Sequence, residues 1–104
     1  MITTMTTFKL SKPITREEAR RIFLSTAPNY QGVSGLLRKC YILSQDGTTA
    51  GGIYLWNSRA DAEAMYTENW KVAVREKYGV DASIDYFESP VLVDNVTNEI
   101  VSDR

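Results

Sequence analysis

The chain has 104 residues, 43% hydrophobic and 11% aromatic, with 12 basic against 13 acidic side chains and no histidine. That length holds one domain with a modest core, and the composition is that of a folded domain and not of a disordered tail. A net charge of -1 with no basic stripe argues against nucleic-acid binding, and the missing histidine excludes histidine triads, histidine-held haem and histidine-containing zinc sites.

Along the chain, "TTMTTFKL" alternates with period two. Thr4, Thr6, Phe8 and Leu10 fall on one face, and Met5, Thr7 and Lys9 on the other, which predicts a first strand. Thr15 with Glu18 three residues later forms a capping-box pattern. The helix it opens carries Ala19, Ile22, Phe23 and Ala27 at helical spacing and ends at Pro28. "PNYQGVSG" reads as a loop. "LLRKCYIL" is a second strand from Leu36 to Leu43, and Asp46-Gly47 is a hairpin signal before a third strand, "GGIYLW". Ser58 and Asp61 give an N-cap pattern for a second helix. Thr67 restarts it, with Trp70, Ala73, Val74 and Tyr78 in helical register and Gly79 as the stop. "ASIDYFE" is the fourth strand, closed by Pro90, and "VLVDN" is a short apolar extension. One domain over 1–95 and a polar, fraying tail over 96–104 are expected.

The order β-α-β-β-α-β is the split βαβ, ferredoxin-like plan: an α+β fold with two helices on one face of a four-stranded antiparallel sheet. The strands are nevertheless apolar on both faces. Leu36, Cys40 and Ile42 oppose Leu37, Tyr41 and Leu43 on the second strand; Ile53 and Leu55 oppose Tyr54 and Trp56 on the third. Helices cover only one side, so a homodimer joined through the open sheet face is expected.

Cys40, the single cysteine, excludes an intramolecular disulfide and fits a reducing compartment. "MITTMTTFKL" lacks the features of a signal peptide, and no apolar run is long enough to span a membrane. The glycosylation pattern at Asn95 therefore carries no weight, and a cytoplasmic protein without membrane attachment is expected. No D-x-D loop or E-x-x-E pair points to a carboxylate metal site. No metal or cofactor is expected.

The stretches Ser34-Gly35-Leu36-Leu37-Arg38-Lys39 and Ala50-Gly51-Gly52-Ile53-Tyr54-Leu55-Trp56 resemble the YdhR-like proteins of the dimeric α+β barrel superfamily. The resemblance continues into "YFESPVLVDN" and covers about Gly32 to Asn95, with Ser34 in place of the usual proline. It implies a family labelled putative monooxygenase, by similarity to small cofactor-independent oxygenases that oxidise aromatic polyketides. The same superfamily holds haem-degrading enzymes, cyclases, isomerases and stress proteins, so the fold alone does not name the reaction.

Gly51-Gly52 invites comparison with a phosphate cradle, but such a cradle follows a strand and opens a helix, whereas these glycines precede a strand. They serve either a bulge or close backbone approach, or open floor space beside Tyr54 and Trp56. Tyr41, Tyr54, Trp56, Tyr66, Trp70 and Tyr86 are candidates to wall an apolar pocket for a small aromatic ligand; core and interface packing is the competing reading for each. Arg38 and Lys39 lie in an apolar strand, one toward each face. At a sheet edge both can snorkel to solvent, as is expected of Lys39, while Arg38 is alternatively a candidate to stabilise an enolate or phenolate. Cys40 reads as a small buried hydrophobe. The expected catalytic set is Trp56, Tyr54 and Arg38, with Tyr41, Tyr66, Trp70 and Tyr86 binding substrate. The expected activity is cofactor-independent monooxygenation of a small aromatic or polyketide-like molecule. The alternatives are a non-catalytic ligand-binding or stress-associated homodimer, and a cyclase or isomerase.

Overall fold

The alternation of the first strand decides which face of the sheet is covered. In the computed structural model, which describes residues 1–103, β1 spans Ile2–Lys9 and buries Ile2, Thr4, Thr6 and Phe8 while the intervening residues stay partly open. Helix α1 (Arg16–Thr26) begins with the expected capping box: Glu18 N–H donates to Thr15 Oγ1 at 3.1 Å, and Thr15 N–H to Glu18 Oε1 at 3.0 Å. Pro28 ends α1 but the chain does not loosen there. Ala27–Tyr30 continue as a turn of 3-10 helix, with proline near its start where a missing N–H costs nothing.

β2 (Leu36–Leu43) and β3 (Thr49–Trp56) form the expected antiparallel hairpin. Its turn is held by Asp46, which accepts from Ser44 Oγ (2.7 Å), Thr48 N–H (3.1 Å) and Thr48 Oγ1 (2.7 Å), and by Gly47 at φ 75°. The second helical region is two helices, α2 (Arg59–Met65) and α3 (Glu68–Tyr78), capped by Ser58 and Thr67; Gly79, at φ 79°, terminates α3. β4 (Ser83–Glu88) completes a four-stranded sheet of order β2-β3-β1-β4, antiparallel at each neighbouring pair. The fold is the expected ferredoxin-like α+β plan, with the helices packed on the face of Thr4, Tyr54 and Trp56.

Two expectations are corrected. Leu36 does not share a face with Cys40 and Ile42, because the pairing shifts between Leu36 and Arg38. That bulge turns Leu36 back toward the helices, against the cluster around Trp56. The chain end does not fray over 99–102. β5 (Val91–Asp94) and β6 (Glu99–Ser102) form a separate two-stranded hairpin. Its turn is organised by Asp94, whose Oδ1 accepts from the N–H groups of Val96 and Thr97, and by Asn98 at φ 60°.

The core has two parts. One centres on Tyr54, Trp56, Ala62 and Tyr66; the other on Phe8, Ala50 and Val74. Trp70, partly buried, packs against both and joins them under α3.

Candidate active site

Between the end of α1 and α3, over the middle of the sheet, the two core clusters do not close completely. A cleft of about 200 Å³ remains. Its floor is Thr6, Gly51 and Tyr54; Lys39 and Tyr41 stand on the β2 side, Tyr30 at the end of the 3-10 turn, and Trp70, Lys77 and Tyr78 on α3. The two glycines make this floor in different ways. A Cβ on Gly51 would overlap the carbonyl oxygen of Thr6, so that glycine permits close approach of β1. A Cβ on Gly52 would lie 3.0 Å from the Tyr54 ring and 3.1 Å from Lys39 Cε, so its absence leaves room for those two side chains to meet.

Lys39 occupies the centre of this arrangement. Counting back from the turn, Leu43, Tyr41 and Lys39 pair with Ala50, Gly52 and Tyr54, so all three face the helices. The Lys39 ammonium lies 3.1 Å from the centroid of the Tyr30 ring, 3.8 Å from Tyr41 and 4.7 Å from Tyr54. The expectation that it snorkels to solvent is therefore corrected. Desolvation pulls its pKa from 10.5 down to about 7, while the three ring faces favour the cation. Among the described residues no carboxylate forms an ion pair with it.

The ring orientations are locked from behind. Tyr41 Oη bonds Thr26 Oγ1 at 2.7 Å and its ring stacks on Phe23. Trp70 Nε1–H donates to Tyr30 Oη at 3.0 Å. Tyr54 stacks on Trp56 with 5.9 Å between centroids. Burial drives the Tyr54 hydroxyl well above the usual phenol range, raises Tyr41 as well, and carries Tyr78 up to about 12. These phenols remain neutral hydrogen-bonding groups at neutral pH.

Of the seven residues singled out from the sequence, Tyr41, Tyr54 and Trp70 line the cleft and four do not. Trp56 is wholly buried; its indole Nε1–H donates to Thr4 Oγ1 at 2.9 Å, and Thr4 Oγ1 bonds Tyr66 Oη at 2.6 Å. Trp56 and Tyr66 are thus a packed layer behind Tyr54. Tyr86 lies toward the sheet edge under the Arg59 guanidinium, 4.1 Å from its ring centroid. Arg38 points to the opposite face and pairs with the buried carboxylate of Asp94. Cys40 is an exposed thiol on that open face, not the buried hydrophobe expected.

Sequence reasoning missed Lys39, Tyr30, Lys77 and Tyr78. The signal for Lys39 was present in the hairpin register, since it alternates with Tyr41 and Leu43. Tyr30 carried none, because its position depends on how the 3-10 turn folds back over the sheet. A broader groove of about 760 Å³ runs between α1 and the β2–β3 turn, bordered by Arg16, Arg20 and Asp46. It shares only Tyr41 with the cleft and brings no comparable constellation together.

The family model described as putative mono-oxygenase ydhR matches residues 5–88, which carry the whole four-stranded sheet but for its first residues, and every helix. The chain belongs to the ydhR family. This ydhR-family chain is similar in fold to a monooxygenase from the gene ActVA-Orf6 of Streptomyces coelicolor, solved with the ligand nanaomycin D. The TM-score is 0.65 at 17% identity, over 85% of this chain and 86% of that one. It is similar also to a putative antibiotic biosynthesis monooxygenase from Deinococcus radiodurans (TM-score 0.64, 13% identity, 90% and 97% covered) and to Rv0793 from Mycobacterium tuberculosis (0.60, 13%, 85% and 93%). At these identities the structural likeness establishes the fold. No curated protein matches the chain. No helix among the described residues is long and apolar enough to cross a membrane.

Proposed function

We propose that this ydhR-family protein is a cofactor-independent monooxygenase acting on a small aromatic or polyketide-like molecule held in the cleft. The observation that carries the reading is the cleft itself: a concave space between helices and sheet, walled by Tyr41, Tyr54 and Trp70, with a few polar groups converging on it. At about 200 Å³ it is smaller than most ligand pockets, which favours a compact planar molecule. In an anthrone-type substrate, a methylene between two aryl rings would become a carbonyl. Two C–H bonds break, one atom of dioxygen enters the ring, and the other leaves as water. The substrate supplies every electron, so no external reductant is required. The protein's part is to bind the ring, exclude water and stabilise the anion that reacts with dioxygen. Trp56 and Tyr66 act as positioning residues behind Tyr54; Arg38 is too remote to touch the ring.

Oxygen consumption with a panel of anthrones and hydroquinones, read beside equilibrium binding of the same compounds, tests this. Turnover of at least one class is expected; neither turnover nor binding across the panel would remove the oxygenase reading.

The same proposal includes a homodimer through the open sheet face. That face exposes Ile53 and Phe87, 41% and 50% accessible, beside partly open Met5, Ile42 and Leu55. Burying it against a second copy would remove a contiguous apolar patch from water and leave the cleft on the outer, helical side. Light scattering at micromolar concentration is expected to return twice the chain mass, and a monomer there would sink the idea. A cytoplasmic setting fits the exposed, unbridged Cys40.

A further inference from the structure

The cleft has a distinct charge character. Two cationic side chains, Lys39 and Lys77, border it, and its lining contains no aspartate or glutamate, in a chain whose acidic residues outnumber its basic ones. Lys77 sits at the mouth, where its Nζ donates to Ser25 Oγ at 3.1 Å. Lys39 is partly buried, with the ring faces of Tyr30, Tyr41 and Tyr54 around its amine. An ammonium so placed has π-electron contact but no anion, and a free amine there has an unused lone pair.

We propose that Lys39 is the proton acceptor and counter-ion of the cleft: it takes the hydroxyl proton of a bound phenol or enol and holds the resulting anion as an ammonium–phenolate pair. In that step the O–H bond of the ligand breaks, its electron pair stays on oxygen, and the proton forms the third N–H bond of the ammonium. No oxidant takes part. The inference deepens the reading of the cleft as a substrate site and rests on it. It names the ligand class: planar aromatics bearing an acidic hydroxyl, bound as anions.

The surroundings of the amine fit that role from each packed element. Tyr30 from the 3-10 turn, Tyr41 from β2, Tyr54 from β3 and Tyr78 from α3 are the titratable groups of the cleft, and Lys77 is its other charge. Burial raises Tyr41, Tyr54 and Tyr78, so none of those three supplies an anion of its own. Burial also holds the Lys39 amine close to neutrality, where it exchanges a proton readily. Arginine at this position would keep the charge without accepting a proton.

The test uses the purified full chain and 3-nitrophenol, a phenol mostly protonated in bulk water at about pH 7.5 and coloured once ionised. On binding to the wild type, phenolate colour is expected without release of a proton to an indicator dye, because the proton moves to Lys39. In Lys39→Met the bound probe is expected to stay colourless, with affinity reduced about tenfold or more. In Lys39→Arg any colour is expected to come with one proton released per probe bound. Retained helical circular dichroism shows that each variant is folded. If the probe binds the wild type but stays protonated, or ionises equally in folded Lys39→Met, the proposal is overturned while the cleft survives as a ligand site. If neither 3-nitrophenol nor any compound of the panel binds, the substrate-site reading fails and this inference falls with it. If panel compounds bind but 3-nitrophenol does not, the proposal that the cleft takes phenols as anions is overturned while the substrate site stands. Ionisation of the probe without oxygen consumption on the panel would keep Lys39's role and remove the oxygenase.

Discussion

Replacing Lys39 by methionine should change how stability depends on pH. The buried amine titrates at about 7 in the folded chain against 10.5 when free. At 1.36 kcal/mol per pKa unit that difference corresponds to about 5 kcal/mol. This is an upper bound, since the side chain is only partly buried and three ring faces stabilise the cation. Discounting for solvent screening and cation–π contact leaves about 2 kcal/mol. The sign follows from proton counts. Between about pH 7 and 10.5 the unfolded chain holds the lysine proton and the folded chain has lost it, so unfolding free energy rises with pH across that window. Below it both states are charged, the folded state carries the full desolvation cost, and the curve is flat. The tyrosines act in the opposite direction: Tyr54, Tyr66 and Tyr78 are raised in the folded chain and erode stability only above about pH 10. Urea unfolding followed by circular dichroism from about pH 6 to 9.5, at one protein concentration, isolates the lysine. Relative to Lys39→Met, the wild type should gain about 1–2 kcal/mol over that range, which ends below the free-lysine pKa of 10.5, equivalent to a melting-temperature change of about 5–10 °C. Parallel curves for the two proteins would refute the burial of an ionisable Lys39.

Other substitutions separate packing from the cleft. Trp56→Phe removes the indole donor to buried Thr4 and part of a filled volume, and should cost about 2–3 kcal/mol in urea unfolding while leaving the cleft walls in place. Arg38→Ala strands the buried Asp94 carboxylate, which keeps its bonds from Val96 and Thr97. A loss of about 1–2 kcal/mol with unchanged ligand affinity is expected, and a large affinity loss would return Arg38 to the site. Gly51→Ala drives a methyl into the β1 backbone and should cost about 3 kcal/mol or prevent folding. Gly52→Ala meets only the Tyr54 ring and the Lys39 stem; about 1 kcal/mol is expected, with a larger effect on ligand binding than on stability.

Much of the architecture was readable locally. Thr15, Ser58, Thr67 and Gly79 marked helix ends that form as expected, because a cap satisfies backbone groups within three or four residues of itself. Asp46-Gly47 set the hairpin, and period-two alternation assigned Thr4, Thr6 and Phe8 to the covered face. The β6 strand was missed because its four exposed residues carry no burial pattern. The Asp94–Asn98 turn that folds it back was the available clue.

The candidate site divides along the same line. Aromatic content, the glycine pair and the register that turns Lys39 inward are properties of the sequence itself. Which aromatics face a space and which fill one is decided between elements distant in the chain. Trp56 and Tyr54 share a strand face, yet Thr4 and Tyr66 close over the indole, while the splay of α1 from α3 leaves the phenol beside a cleft. Arg38 and Lys39 are neighbours, yet one meets a carboxylate from the β5–β6 hairpin and the other a ring from the 3-10 turn. Alternation and caps are short-range and survive in the linear text. Burial and desolvation are sums over whatever the tertiary structure brings near, and they turned a lysine expected at the surface into the central group of the cleft.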